Sequence, residues 1–145
     1  MALDPIITQA VAQSLLTAFE TAANAGTAAV IIGYDDDAAI PTDADASSAG
    51  SGTLFTLTCA AAIFTSKTDG TPDAVGTFDT ISDDASADET DTLAFFRILT
   101  QAGGTVVFQG TAGVGTFDMA INTVSITSGS TVSCSAATIT VPEQN

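Results

Sequence analysis

Between residues 7 and 22 apolar side chains return every three or four positions, at Ile7, Val11, Leu15, Phe19 and Ala22, while Gln9, Gln13, Thr17, Glu20 and Asn24 occupy the opposite side. That spacing predicts an amphipathic helix. Asp4-Pro5 supplies a start, because aspartate accepts a backbone N–H as N-cap and proline fits the first helical position. Asn24-Ala25-Gly26 supplies a stop. The helix expected is about 20 residues long. Its face of Ile7, Val11, Leu15 and Phe19 either covers the sheet that follows or binds a partner.

Beyond Gly26 the period changes. β-Branched residues gather in short runs broken by glycine, aspartate or serine, the pattern of strands and turns. Strands are expected at 28–34, 53–61, 76–81, 93–100, 105–109, 116–121, 123–127 and 131–141. Phe55, Leu57, Cys59 and Ala61 alternate with Thr56, Thr58 and Ala60, so this run packs on one side. Val132, Cys134 and Ala136 alternate likewise, and the parity then switches to Ile139 and Val141. Such a switch marks a bulge or a strand passing from one sheet to another. Gln101-Ala102-Gly103-Gly104 and Ser128-Gly129-Ser130 read as hairpin turns. The fold expected is all-β, an antiparallel β-sandwich of jelly-roll or immunoglobulin-like type preceded by one α-helix. Residues 1–26 form the helix or arm, and residues 27–145 a single sandwich domain.

Charge refines this picture. The 145 residues hold 17 acids, only Lys67 and Arg97 as cations, and no histidine, for a formal charge of −15. Such a chain repels phosphate and has no basic stripe for a nucleic-acid backbone. The missing histidine excludes Ser-His-Asp and Cys-His nucleophile systems and histidine metal sites. Residues 35–52 and 82–91, with Asp69, Asp73 and Asp79, hold thirteen of the acids. The first of these segments is expected as a long exposed loop or mobile arm, and one end or face of the sandwich as strongly negative. Heavy acidity with a single lysine also predicts a stability that rises with salt.

Candidate chemistry is sparse. Calcium suits oxygen-rich loops, yet Asp43-x-Asp45-x-Ser47 departs from the EF-hand pattern at Ser48 and Leu54, and Asp83, Asp84, Asp88, Glu89 and Asp91 follow no recognised ligand spacing. No cofactor is therefore expected, with calcium kept as the alternative. Paired carboxylates for glycoside hydrolysis lack the aromatic platforms such sites use, since the chain has no tryptophan and one tyrosine. No catalytic residue is expected, and the chain reads as a non-enzyme. Cys59 and Cys134 either pair or remain free thiols. Arg97 lies in an apolar strand opposite Phe96 and Ile98; a solvent-facing side chain is expected, and if its face were buried the guanidinium would need a carboxylate or carbonyl partner. The MALDPIITQ start has no cationic residue before its apolar ones and is not expected to be a signal peptide. No apolar run reaches membrane-spanning length.

The stretches GTLFTLT, ISDDASADETDTLAFFRILTQAGGTVVFQGTAG and INTVSITSGSTVSCSAATITVPE resemble a family of tailed-bacteriophage structural proteins. The resemblance spans Gly52 to Pro142 and is carried by residues 82–88, 95–111 and 122–140. This chain departs in its greater acidity and in the segment FDMAIN. The resemblance implies a virion component made in the host cytoplasm, above all a capsid decoration (cement) protein on the outer capsid surface. Its expected partners are the major capsid protein and copies of itself, in a homo-oligomer. The alternatives are a neck or tail component, or a calcium- or glycan-binding adhesion module. The motifs are architectural and carry over no catalytic residue.

Overall fold

The computed structural model describes residues 6–48, 50–69, 73–115, 118–120 and 123–143. Within them lie one helix, α1 (Gln9–Ala23), and the strands β1 (Val30–Asp35), β2 (Thr53–Cys59), β3 (Phe64–Asp69), β4 (Asp73–Phe78), β5 (Ile81–Ser82), β6 (Asp91–Leu99), β7 (Val106–Gly113), β8 (Met119–Ala120), β9 (Ser125–Ile126) and β10 (Thr138–Pro142). A larger sheet runs β5-β2-β1-β6-β7-β8, with β9 also paired to β6, and a smaller one runs β10-β4-β3. Strand pairs are antiparallel except β7 with β8. The architecture is mostly β and sandwich-like, with one short amino-terminal helix. No described helix is long and apolar enough to cross a membrane.

The helix stops where the sequence indicates and starts later. Asp4-Pro5 lie outside the described residues. The Ile7 N–H donates to the Glu143 carbonyl at 3.0 Å, which holds this stretch outside the helix, so α1 opens after an extended Thr8 and spans 15 residues rather than about 20. At its end the Asn24 side-chain oxygen accepts the Ile63 N–H at 3.0 Å. Gly26 passes so close to β6 that a Cβ there would stand 2.3 Å from the Thr100 carbonyl oxygen.

The helix is no separate arm. Ala12, Leu16 and Ala23 are fully buried in one cluster with Ile31, Leu57, Phe64, Phe78, Phe96 and Ile98. It packs on β3, β4 and β10 of the smaller sheet and reaches β7 of the larger one. Phe19 makes the join: its ring stacks on Phe64 of β3 at 5.6 Å and meets Phe108 of β7 edge-on at 6.4 Å. Phe64 continues to Phe78 at 5.5 Å and Phe108 to Phe96 at 5.9 Å. A continuous line of phenylalanines thus runs from one sheet, through the helix, to the other. Outside this line, Lys67 pairs with Glu20 and Gln9 donates to Asp69, fastening the helix to edge strand β3. Exposed polar contacts of this kind contribute at most about 1 kcal/mol each.

All six residues of β1 are buried. Ile31 faces the main core, whereas Val30, Ile32 and Tyr34 join Phe95 and Leu99 in a second cluster on the outer face. A register shift opposite Tyr34 and Asp35 lets Leu93 point inward and Phe95 outward on the same strand. The Tyr34 and Phe95 rings then stack at 4.8 Å. Gly33 must be glycine here, since a Cβ would stand 2.4 Å from the Phe55 ring.

Two further differences from the sequence reading concern pairing. β3 goes unforeseen because only Phe64 of its six residues is buried, leaving no alternation to read. Gly103 and Gly129 both adopt positive φ, +68° and +80°, so both glycine turns form, but only the first joins a hairpin, β6 to β7. The arms of the second diverge: β9 pairs with β6, and Val132 bridges to Asp84. Beyond it the chain crosses to the smaller sheet, where β10 pairs with β4, and the parity switch at Ala136-Ala137 marks that crossing.

Phe19→Ala is expected to lower unfolding stability by about 3 kcal/mol, read from the denaturant midpoint. Ser14→Ala on the exposed side of the same helix should change it by less than about 0.5 kcal/mol.

Candidate functional site

Two surfaces concentrate chemistry: the end of the larger sheet where the acidic segments meet, and the outer side of α1. The first is built by residues 36–48 and 50–52, part of the 35–52 segment expected as a long exposed loop or mobile arm. They form a loop, mostly exposed as expected, that is tied by hydrogen bonds across the outer face of β6 and β7 and is no free arm. Arg97, 4% exposed, lies on that face. Its Nε donates to Gln109 Oε1 at 2.9 Å and its Nη2 to the Ala46 carbonyl at 2.8 Å. Gln109, its cross-strand partner, donates to the Pro41 carbonyl at 2.6 Å. The guanidinium lies 5.9 Å from the centre of the Phe95 ring. The expectation of a solvent-facing arginine is thereby corrected. The reason is the second apolar cluster, which needs a cover, and the cover brings the carbonyls that satisfy the cation.

The strap returns to the sheet at Asp35 and Gly52. Asp35 is 1% exposed; its carboxylate accepts the Gly52 N–H at 2.7 Å and the Asp37 N–H at 3.2 Å. A Cβ on Gly52 would stand 2.5 Å from Asp35 Oδ2 and 2.4 Å from Glu89 Oε2, so glycine alone fits between these carboxylates. Asp35, Asp37 and Asp91 bring carboxylate oxygens within 4.8 Å of one another. Asp35 foremost, then Asp91, burial and Asp36 hold the Asp37 carboxyl above its ordinary value of 3.8. Chemically, this is a set of hard oxygen donors of the kind divalent cations take.

Of the acids singled out from sequence for calcium, Asp91 alone enters this cluster. Asp84 caps the backbone N–H groups of Thr56 and Ser86 at 2.9 and 3.0 Å, and Asp43 caps that of Asp45 at 2.9 Å. The cluster instead joins Asp35 and Asp37, after β1, to Asp91 at the start of the antiparallel neighbour β6. That pairing was the signal available, had the register of β1 on β6 been drawn. The second acidic segment is also ordered: Ala87 and Gly129 exchange backbone bonds with the 129–130 turn and with Ala87 respectively, and Ser128 donates to Thr90 Oγ1 at 2.8 Å.

On α1 the four residues of the expected partner face separate. Ile7 and Phe19 are half-buried against the core, while Val11 and Leu15 are 45% and 50% exposed. The sheet takes the stripe one residue further round, at Ala12, Leu16, Phe19 and Ala23. Cys59 and Cys134 are free thiols. Burial, with Cys134 nearby, pushes the Cys59 thiol up to about 11, so it stays protonated and unreactive at neutral pH. A cleft of about 1130 Å³ opens between the inner face of the larger sheet, at Phe55, Phe96 and Phe108, and the 123–140 segment. Its described lining holds one carboxylate, Asp118, and one thiol, Cys134. The Asp118 carboxyl is held below its ordinary value by the Thr111 N–H and hydroxyl, both at 2.8 Å. That ties it to β7 as a structural group.

Arg97→Met should destabilise the fold by about 2–3 kcal/mol through the stranded Ala46 and Gln109 groups. It should also speed cleavage at Asp43 and Asp45 by an acidic-residue-specific protease, and Arg97→Lys should not restore protection, because a point charge cannot bridge the two acceptors as the planar fork does. At Asp37 the folded carboxyl binds its proton more tightly than the unfolded one, so stability falls as pH rises through the folded value, above 3.8. Asp37→Asn should therefore raise Tm at pH 7 in low salt. The gain should vanish in acid, where the native carboxyl is protonated, and shrink as salt is added. No family model, curated protein or solved structure matches this chain.

Proposed function

We propose that the chain is a non-enzymatic structural protein of a tailed-bacteriophage virion, a capsid decoration protein that binds and stabilises the major capsid shell from outside. The observation that carries this reading is the division of its surface. An uncharged apolar stripe with Val11 and Leu15 exposed stands on a β scaffold that gathers five acids, Asp35, Asp36, Asp37, Glu89 and Asp91, where residues 35–37 and 89–91 meet. Such a surface suits protein contact. The segments that carry the phage resemblance are scaffold segments: residues 82–88 are pinned by the 127–132 turn, and residues 95–111 form the β6–β7 hairpin. Acidity favours solubility on an outer surface and works against DNA binding. Many copies on a symmetric shell multiply weak contacts into firm attachment.

Quantifying this chain against the major capsid protein in purified virions tests the reading. Hundreds of copies per particle are expected for a decoration protein. About six to twelve copies, the number natural to a symmetric ring, would move it to the neck or tail. Absence from washed particles would overturn the virion assignment. A calcium- or glycan-binding module would be recognised by a rise in Tm with millimolar calcium beyond that given by matched ionic strength, or by direct glycan titration.

A further inference from the structure

Val11, Leu15, Ala18 and Ala22 lie on one side of α1, about 100° of rotation per residue placing them within a narrow arc, and all four are exposed. Val11 and Leu15 are among the large apolar side chains most open to solvent. The apolar arc of the helix is thus wider than its seat on the sheets. We propose that this stripe is the two-fold contact between two copies of the chain, with the helices antiparallel.

Two observations select a second copy as the occupant. The first is charge. Each copy carries −15, so self-contact at most surfaces brings carboxylates together; α1 holds a single ionisable residue, Glu20, which Lys67 neutralises. The stripe itself is therefore uncharged, with Asp69 of β3 held by Gln9 at the helix start, and like copies meet along it without carboxylates in the contact row. The second is shape. A two-fold axis passing between Leu15 and Ala18 sets Leu15 of one copy against Ala18 of the partner and Val11 against Ala22. Each large side chain then meets a small one, and the two helices approach closely along their length. An isologous contact requires self-complementarity of this kind. With about 22 Å of helix the buried area is below about 1,200 Å², the low end for specific interfaces, so the dimer is weak in dilute solution. The proposal deepens the reading above by naming a second copy as what the stripe meets in the free protein, and purified full-length chain suffices to test it, so its outcome is separate from the virion assignment.

Sedimentation equilibrium from about 5 to 500 µM should show a monomer–dimer equilibrium. The dimer should tighten several-fold between about 0.05 and 0.5 M NaCl as the remaining charge is screened. Leu15→Glu should weaken it more than about tenfold with circular dichroism and Tm unchanged. Ala18→Leu, which fills the space Leu15 would enter, should weaken it as well. In a Cys134→Ser background, a mixture of the L15C and A18C chains oxidised with diamide should cross-link faster than L15C alone. A monomer at every concentration and salt, a dimer indifferent to Leu15→Glu, or a trimer would overturn the proposal.

Discussion

The line of five phenylalanines through Phe19 is the contact on which the rest of the structure depends. The two sheets are of unequal size, and the smaller reaches the larger through the helix, at Phe64–Phe19–Phe108. Apolar burial is non-directional, but ring pairs at 5.5–6.4 Å, alternately stacked and edge-on, impose an orientation as well. Fixing Phe19 fixes the rotation of α1 about its axis. That rotation seats Ala12, Leu16 and Ala23 and leaves Val11 and Leu15 outside. The exposed stripe is therefore a consequence of core packing.

The larger sheet meets its own constraint at β1. A strand apolar on both sides needs two covers, and the helix with the smaller sheet supplies only one. Residues 36–48 supply the other, held by Arg97 and Gln109 through backbone carbonyls. A cation was needed on that face because a polar anchor must reach across an otherwise apolar surface. Carbonyl acceptors spare the site a second buried charge. The same strap brings Asp35, Asp36 and Asp37 against Asp91, so covering the apolar face costs the fold a like-charge cluster.

Much of this was legible in sequence, in proportion to how local its cause is. The end of α1 at Asn24, the strands around Leu57 and Ile98, and the turn at Gly103 follow from periodicity and turn chemistry. The helix seat was misplaced by about one residue, because Ala12 and Ala23 are too small to announce a buried face beside Val11 and Leu15. β3 carries one inward side chain and five that face out or sit at the boundary, so no alternation existed to be read. The strap was hidden for another reason: its tethers end on the carbonyls of Pro41 and Ala46, groups every residue possesses. The acidic cluster needed the register of β1 on β6, and a bulge at Tyr34 and Asp35 shifts that register by one.

Charge and packing together explain why this chain partitions its surface so sharply. With 17 acids and two cations, internal neutralisation is out of reach. Both cations go to attachments, Lys67 to the helix and Arg97 to the strap, each fastening a covering element to its sheet. Among the described residues the other acids have no cationic partner, and the fold answers with backbone N–H donors at Asp35, Asp43, Asp84 and Asp118. Such donors orient a carboxylate while leaving its charge in place. The negative field therefore persists in the loops and at the strand ends that carry Asp35, Asp69, Asp73 and Asp91, while the outward stripe of α1 holds no acid. On a molecule built this way the apolar stripe of α1 and the acidic cluster beside Asp91 lie on different elements, and the contact proposed above falls on the one whose single acid is paired with Lys67.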